Sequence, residues 1–228
     1  MKLHATRLSC GVVLAVLMLA SVTRPSARAR APHFTVDPSF PQLPVGKVLG
    51  DVSSVAVDAQ DHIWMIHRPR TVAPEQRANA APPVLEFDPS GKYIAGWGGA
   101  GAGFEWPERE HGIYVDPTGS VWVSGNNGYH APGTEAPPGQ SDDMLIKFTP
   151  AGKFLLQIGH SGKSTGDGDR DNVMQAADMF LYRPSNELFV ADGYGNHRVA
   201  VFDAANGRFK RSWRRRCRAT SRRAFSER

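Results

Sequence analysis

Three times along this chain two short apolar runs are followed by a Phe-Asp or Phe-Thr step, a Gly-containing turn and one more apolar run, and this recurrence limits the fold more than any other feature. The shortest copy runs from Glu187 to Trp213. It reads Leu188-Phe189-Val190-Ala191, a bend through Gly193-Tyr194-Gly195, then Val199-Ala200-Val201-Phe202-Asp203, an Asn206-Gly207 turn, and Phe209 to Trp213. Val- and Phe-rich runs broken by Gly and Asn-Gly predict three consecutive antiparallel strands. Met179-Phe180-Leu181-Tyr182, ahead of Pro184-Ser185-Asn186, supplies a strand before them.

Two longer copies precede this one. The first has Val55-Ala56-Val57-Asp58, His62 to Ile66, Val84 to Asp88, Pro89-Ser90-Gly91, and Tyr93 to Gly98. The second has Gly112 to Asp116, Ser120 to Ser124, Met144 to Phe148, Pro150-Ala151-Gly152, and Phe154 to Gly159. Asp58 and Asp116 lie 58 residues apart, and Pro117 and Pro184 lie 67 apart. These spacings exceed the ~40 to 50 residues of common propeller repeats, so long connections lie within or between the units. Four-stranded units repeated in fixed order predict an all-β fold, the blades of a β-propeller, with about three blades present. A β-sandwich also has many short strands, but it need not repeat its turn chemistry as Phe87-Asp88, Phe148-Thr149 and Phe202-Asp203 do here. The expected blades are about 51–99, 110–159 and 177–213, within a partial propeller at 51–213.

The net charge of +5 over 228 residues is unevenly placed. Residues 1–31 carry +5 and residues 214–228 carry +6, which leaves −6 for the segment between. An acidic body argues against a nucleic-acid partner. At the front, Lys2 and Arg7 precede an uncharged apolar run from Gly11 to Val22, with small residues at Ala27, Ala29 and Ala31. That layout predicts a secretory signal peptide over 1–31, an exported protein in the periplasm or outside the cell, and no stable membrane span after cleavage. An uncleaved anchor is the alternative. Cleavage would leave Cys217 as the one cysteine, so no internal disulfide is expected. Residues 32–50 are Pro-rich and read as an extended lead-in. Residues 214–228 are Arg-rich where apolar alternation stops. The expectation is that the repeats are cut short there and that this tail is aberrant coding, such as a frameshift; a basic tail for an anionic surface is the other reading. A three-bladed piece also leaves a sheet edge open, so the chain failing to fold alone is a further expectation.

In an antiparallel four-stranded blade the link into strand one and the loop between strands two and three fall on the same face of the ring. That face is expected to collect His67, Arg68, His111, His130, Asp178 and Tyr194. Each also has a structural reading: a histidine at a strand entrance is commonly a loop hydrogen-bonding group, and zinc needs three or four ligands. Asp167-Gly168-Asp169-Arg170-Asp171-Asn172 has the alternating carboxylates of half a calcium loop, but it lacks the glycine at the sixth place and helical flanks, which favours a solvated connection.

From Leu49 to Trp213 the chain resembles NHL-type propellers of the six-bladed kind, and among them peptidyl-α-hydroxyglycine α-amidating lyase and its bacterial relatives. The similarity rests on Val55-Ala56-Val57-Asp58 leading to Ile66-His67-Arg68, on Glu110-His111-Gly112-Ile113-Tyr114-Val115-Asp116, and most specifically on Ala191-Asp192-Gly193-Tyr194-Gly195-Asn196-His197-Arg198-Val199. The resemblance implies zinc-assisted cleavage of a peptidyl-α-hydroxyglycine to a peptide amide and glyoxylate, with a peptide-like small substrate. It places His111 as a zinc ligand, Tyr194 and Arg68 as catalytic residues, and the backbone of Val55 and Ile113 at a structural calcium. Zinc would polarise the substrate hydroxyl, a tyrosine beside the cation would act as base, and arginine would hold the carboxylate with paired hydrogen bonds. The family's other zinc histidines belong to blades this sequence lacks, which implies a chain inactive as it stands. The alternative is a non-catalytic propeller holding a peptide, glycan or protein partner.

Overall fold

The computed structural model describes residues 31–128 and 140–214. The expected signal peptide, His130 and residues 215–228 of the basic tail lie outside them. Residues 1–38 and 39–228 form two units; the described part of the first, residues 31–38, contains no strand or helix.

Among the described residues, twelve strands form three four-stranded antiparallel sheets, each a simple meander. The first contains β1 (Asp51–Val57), β2 (Ile63–Arg68), β3 (Val84–Phe87) and β4 (Tyr93–Trp97). The second contains β5 (Glu110–Val115), β6 (Val121–Gly125), β7 (Leu145–Phe148) and β8 (Phe154–Ile158). The third contains β9 (Asp178–Tyr182), β10 (Glu187–Asp192), β11 (Arg198–Asp203) and β12 (Phe209–Arg214). The first strands β1, β5 and β9 share one cavity of about 520 Å³, lined from Ser53 to Val57, from His111 to Val115 and from Ala177 to Met179. Three meanders with their first strands inward make a partial β-propeller.

The repeated turns are built alike. Every strand-one to strand-two turn holds one left-handed residue, Asp61, Gly119 or Asn186, and every strand-three to strand-four turn holds Gly91, Gly152 or Gly207 at positive φ. These are the residue types that adopt this conformation at low cost. The polar residue after each third-strand Phe closes its turn: Asp88 Oδ1 accepts the Ser90 and Lys92 amides, Thr149 Oγ1 the Lys153 amide, and Asp203 Oδ1 the Ala205 amide. Each third strand shifts register at its Phe, which faces an aromatic on strand four. Phe87–Tyr93, Phe148–Phe154 and Phe202–Phe209 pack edge to face with centroids 6.2, 6.3 and 5.8 Å apart.

Adjacent blades bury apolar side chains between them. Trp64, Ile66 and Val84 of the first sheet meet Ile113, Val121, Ile146 and Phe148 of the second. Trp122, Leu145 and Ile158 of the second meet Leu181, Leu188 and Phe202 of the third. The other side of the first sheet buries Met65, Leu85 and Phe87 under Phe40, Leu43 and Leu49. Residues 40–49 of the lead-in are therefore part of the core. They are held by parallel bridges from Gln42 to Lys92 and from Val48 to Ala80. Their Pro-broken run has no strand period, which is why the sequence reads only as extended.

Candidate functional site at the blade entrances

His111 enters β5 and its ring meets that of Tyr194 edge to face, with centroids 5.2 Å apart. Tyr194 sits on the bend between β10 and β11 and is 56% exposed. The bend is clamped from beneath. Asp192 and Arg198, one at each of its ends, form a buried ion pair with Nε to Oδ2 at 2.8 Å. Asn196 Nδ2 donates to the same oxygen, and the Met174 amide donates to Oδ1. Gly195 lies against Met174, where a Cβ would come within 2.2 Å of Cγ. The motif around Tyr194 thus consists of a scaffold of Asp, Asn and Arg under one outward phenol.

Arg68 ends β2 and reaches the second blade, where its Nε donates to the Glu110 carbonyl at 2.9 Å. Burial lowers the His111 pKa, and the positive charges of Arg68 and Arg109 lower it further against the opposing pull of Asp178. The imidazole is therefore biased toward its neutral, metal-binding form. Its Nδ1 lies 3.2 Å from the Asn126 amide nitrogen, while Asn126 Oδ1 is buried without a partner. The amide has two orientations of one shape. With Oδ1 toward the ring, Nδ1–H donates to it and Nε2 keeps a free lone pair, the arrangement that metal-bound histidines commonly have.

The structure thus brings His111, Tyr194 and Arg68 to one face, with Asp178 beside them at the entrance of β9. His67 is on that side too, but it is buried and fully occupied: Nδ1 accepts the Gly50 amide at 3.1 Å, and Nε2 faces the Pro82 carbonyl at 3.0 Å. It fastens the connection between β2 and β3 and offers no ligand atom. His111 fits one position of a zinc site among the described residues. For calcium, Val55 and Ile113 line the same inner cavity, whose one lining carboxylate is Asp178. The Asp167–Asn172 loop wraps a cation of the protein's own: Arg198 Nη1 donates to the Asp167 and Asp169 carbonyls and Nη2 to the Asn172 carbonyl.

One feature has no sequence signal. A cavity of about 1140 Å³ opens between the first two blades, lined in part by Leu85, Phe104, Trp106 and Met144. Glu110 borders it, buried, with Oε1 accepting Trp106 Nε1–H at 3.0 Å and Oε2 unpartnered. Burial raises its pKa. Nothing in the residue order distinguishes this glutamate from a surface one.

No family model matches the chain. It is 26% identical over 199 residues to peptidyl-glycine alpha-amidating monooxygenase A of Xenopus laevis, a match that covers 79% of this chain and 18% of that protein. The rat peptidylglycine alpha-amidating monooxygenase is 25% identical over 183 residues, with 72% and 16% covered. The chain therefore spans less than a fifth of the curated relatives it matches. Among solved structures, XC5397 of Xanthomonas campestris, described as a gluconolactonase, superposes with a TM-score of 0.44 at 14% identity, covering 72% of this chain and 48% of that one. The chain is thus a partial propeller by its own three sheets, with weak sequence similarity to amidating enzymes.

Proposed function

We propose that this chain is an exported NHL-type propeller of the amidating-lyase kind, whose blade entrances hold the α-hydroxyglycine end of a peptide. The observation that carries the reading is the His111–Tyr194 ring contact, with Arg68 close enough to influence the histidine, since these residues come from three different blades. In this reading Arg68 binds the terminal carboxylate through its guanidinium. The Tyr194 oxygen takes the proton of the substrate hydroxyl as the carbonyl of glyoxylate forms and the C–N bond breaks, and returns that proton to the departing amide nitrogen, while the free lone pair of His111 supplies one ligand position. Zinc, when bound, would polarise that hydroxyl and favour its ionised form. A single imidazole holds zinc weakly, so the chain alone binds such a peptide without effective turnover.

The test is calorimetric binding of a dipeptide ending in α-hydroxyglycine to the full chain with zinc, alongside a glyoxylate assay. The expected result is saturable binding with glyoxylate near background, and loss of binding on chelation or in His111→Ala. Failure to bind with zinc present overturns the proposal. A second reading, a non-catalytic binding propeller, draws on the apolar cavity beside Glu110. Retention of a peptide or protein that survives both chelation and Tyr194→Phe would favour it.

A further inference from the structure

On the opposite face of the propeller, the first two blades carry the same small construction with two differences. In each, an aspartate ends the first strand and accepts the indole N–H of the tryptophan six residues on: Trp64 to Asp58 Oδ2 and Trp122 to Asp116 Oδ2, both 2.9 Å. In each, the other oxygen accepts the amide of the residue four on, His62 or Ser120. The register then pairs Trp64 with Glu86 and Trp122 with Lys147. In the second blade the Lys147 ammonium lies 4.0 Å from Asp116 Oδ2 and 5.0 Å over the Trp122 ring, so a positive charge of the protein sits at the aspartate. In the first blade a glutamate stands where that lysine does, and a histidine stands where Ser120 does. The aspartate keeps its place and the lysine ammonium is gone.

We infer that Asp58, His62 and Glu86 form a site for a divalent transition-metal ion, Zn²⁺ by its donor set, which takes the place that the lysine ammonium has in the neighbouring blade. His62 Nδ1 lies 2.8 Å from Glu86 Oε1 and 3.7 Å from Asp58 Oδ2, and the three ligand atoms all fall within 4.8 Å of one another. Two bonds of ~2.1 Å at a tetrahedral angle put their ligand atoms about 3.4 Å apart, so these spacings accommodate an ion with small side-chain shifts. One imidazole and two carboxylates suit zinc or its neighbours. The aspartate is already oriented: the Gln60 and His62 amides hold Oδ1 and Trp64 Nε1–H holds Oδ2, which keeps one lone pair for a metal. A cavity of about 330 Å³ adjoins all three side chains and is walled by Asp116 to Gly119 of the second blade. It gives an ion a route in and room for water at the fourth position. This is the one such cluster of three ligand side chains among the described residues. It shares no residue with His111, Tyr194 and Arg68, and stands whether or not the proposed function does.

The experiment titrates the metal-stripped full chain with zinc chloride by calorimetry, with Co²⁺ absorption as an independent report of coordination. Glu86→Lys installs the second blade's own residue and is the decisive variant. Zinc affinity should fall at least 100-fold in Glu86→Lys and in His62→Ala, with the Co²⁺ bands lost. Zinc should raise the melting temperature of the parent chain and leave that of Glu86→Lys unmoved. If Glu86→Lys does not fold, His62→Ser, again the second blade's residue, carries the same comparison. Equal zinc binding by the parent and these variants overturns the inference. So does the absence of heat and of a melting shift in the parent, which would leave His62 and Glu86 as an ion pair only.

Discussion

At the scale of single residues, Arg198 does more than any other polar group to fix the candidate site. Its Nε meets Asp192, and its two Nη groups meet the carbonyls of the 167–172 loop, so one guanidinium joins the Tyr194 bend to that loop. Both partners of the ion pair are fully buried. Removing one member of a buried pair leaves the other charge uncompensated, and burial already raises the Asp192 pKa despite its hydrogen bonds. Arg198→Ala should therefore cost about 3–5 kcal/mol, measured by urea denaturation. Arg198→Lys keeps the charge but loses the fork, and should fall between. Tyr194 was legible in the sequence because a Gly-flanked aromatic between two strands points to a bend. The roles of Asp192 and Arg198 beneath it were not, since burial of a polar residue depends on partners far along the chain.

At the scale of elements, most of the fold could be read directly. Alternation marked the strands, and Gly or Asn-Gly marked the bends, because these turns need positive φ. Gly119 and Gly152 separate that requirement from packing. Both have positive φ, but a Cβ at Gly119 meets nothing within 4 Å, whereas one at Gly152 comes 2.6 Å from Trp97 Cγ. Gly119→Ala should cost about 1–2 kcal/mol from backbone conformation alone. Gly152→Ala should cost clearly more by the same denaturant titration; equal losses would mean that the Trp97 ring gives way freely. The third sheet adds a pH dependence. The paired hydrogen bonds from Arg211 on β12 hold Glu187 on β10 down at about 2, from an ordinary 4.5. Between those values the folded state binds fewer protons than the unfolded chain. This stabilisation is therefore complete above the unfolded value and declines as pH falls toward the folded one. Urea midpoints should drop across that window, and Arg211→Gln should flatten the drop.

At the scale of the whole molecule, the first two blades are joined by an aromatic cluster centred on Phe148. Trp97, Phe104 and Trp106 lie 4.9, 5.1 and 5.9 Å from it, centroid to centroid. Phe148→Ala should cost about 3–5 kcal/mol and reduce the near-UV circular dichroism of the folded chain. If the blades are held chiefly by other contacts, the spectrum will keep its amplitude. Among the described residues the third sheet has no comparable cover on its far side, where Phe180, Val199 and Trp213 are 57%, 40% and 51% exposed. The first sheet's outer side is instead occupied by Phe40, Leu43 and Leu49. The row of sheets is therefore polar in the directional sense, stoppered at one end and bare at the other. A further sheet can join at the Phe180–Trp213 end without displacing any described residue. A sheet closing the row into a ring would meet residues 40–49 before the first sheet itself, so its docking surface there is that short proline-broken segment.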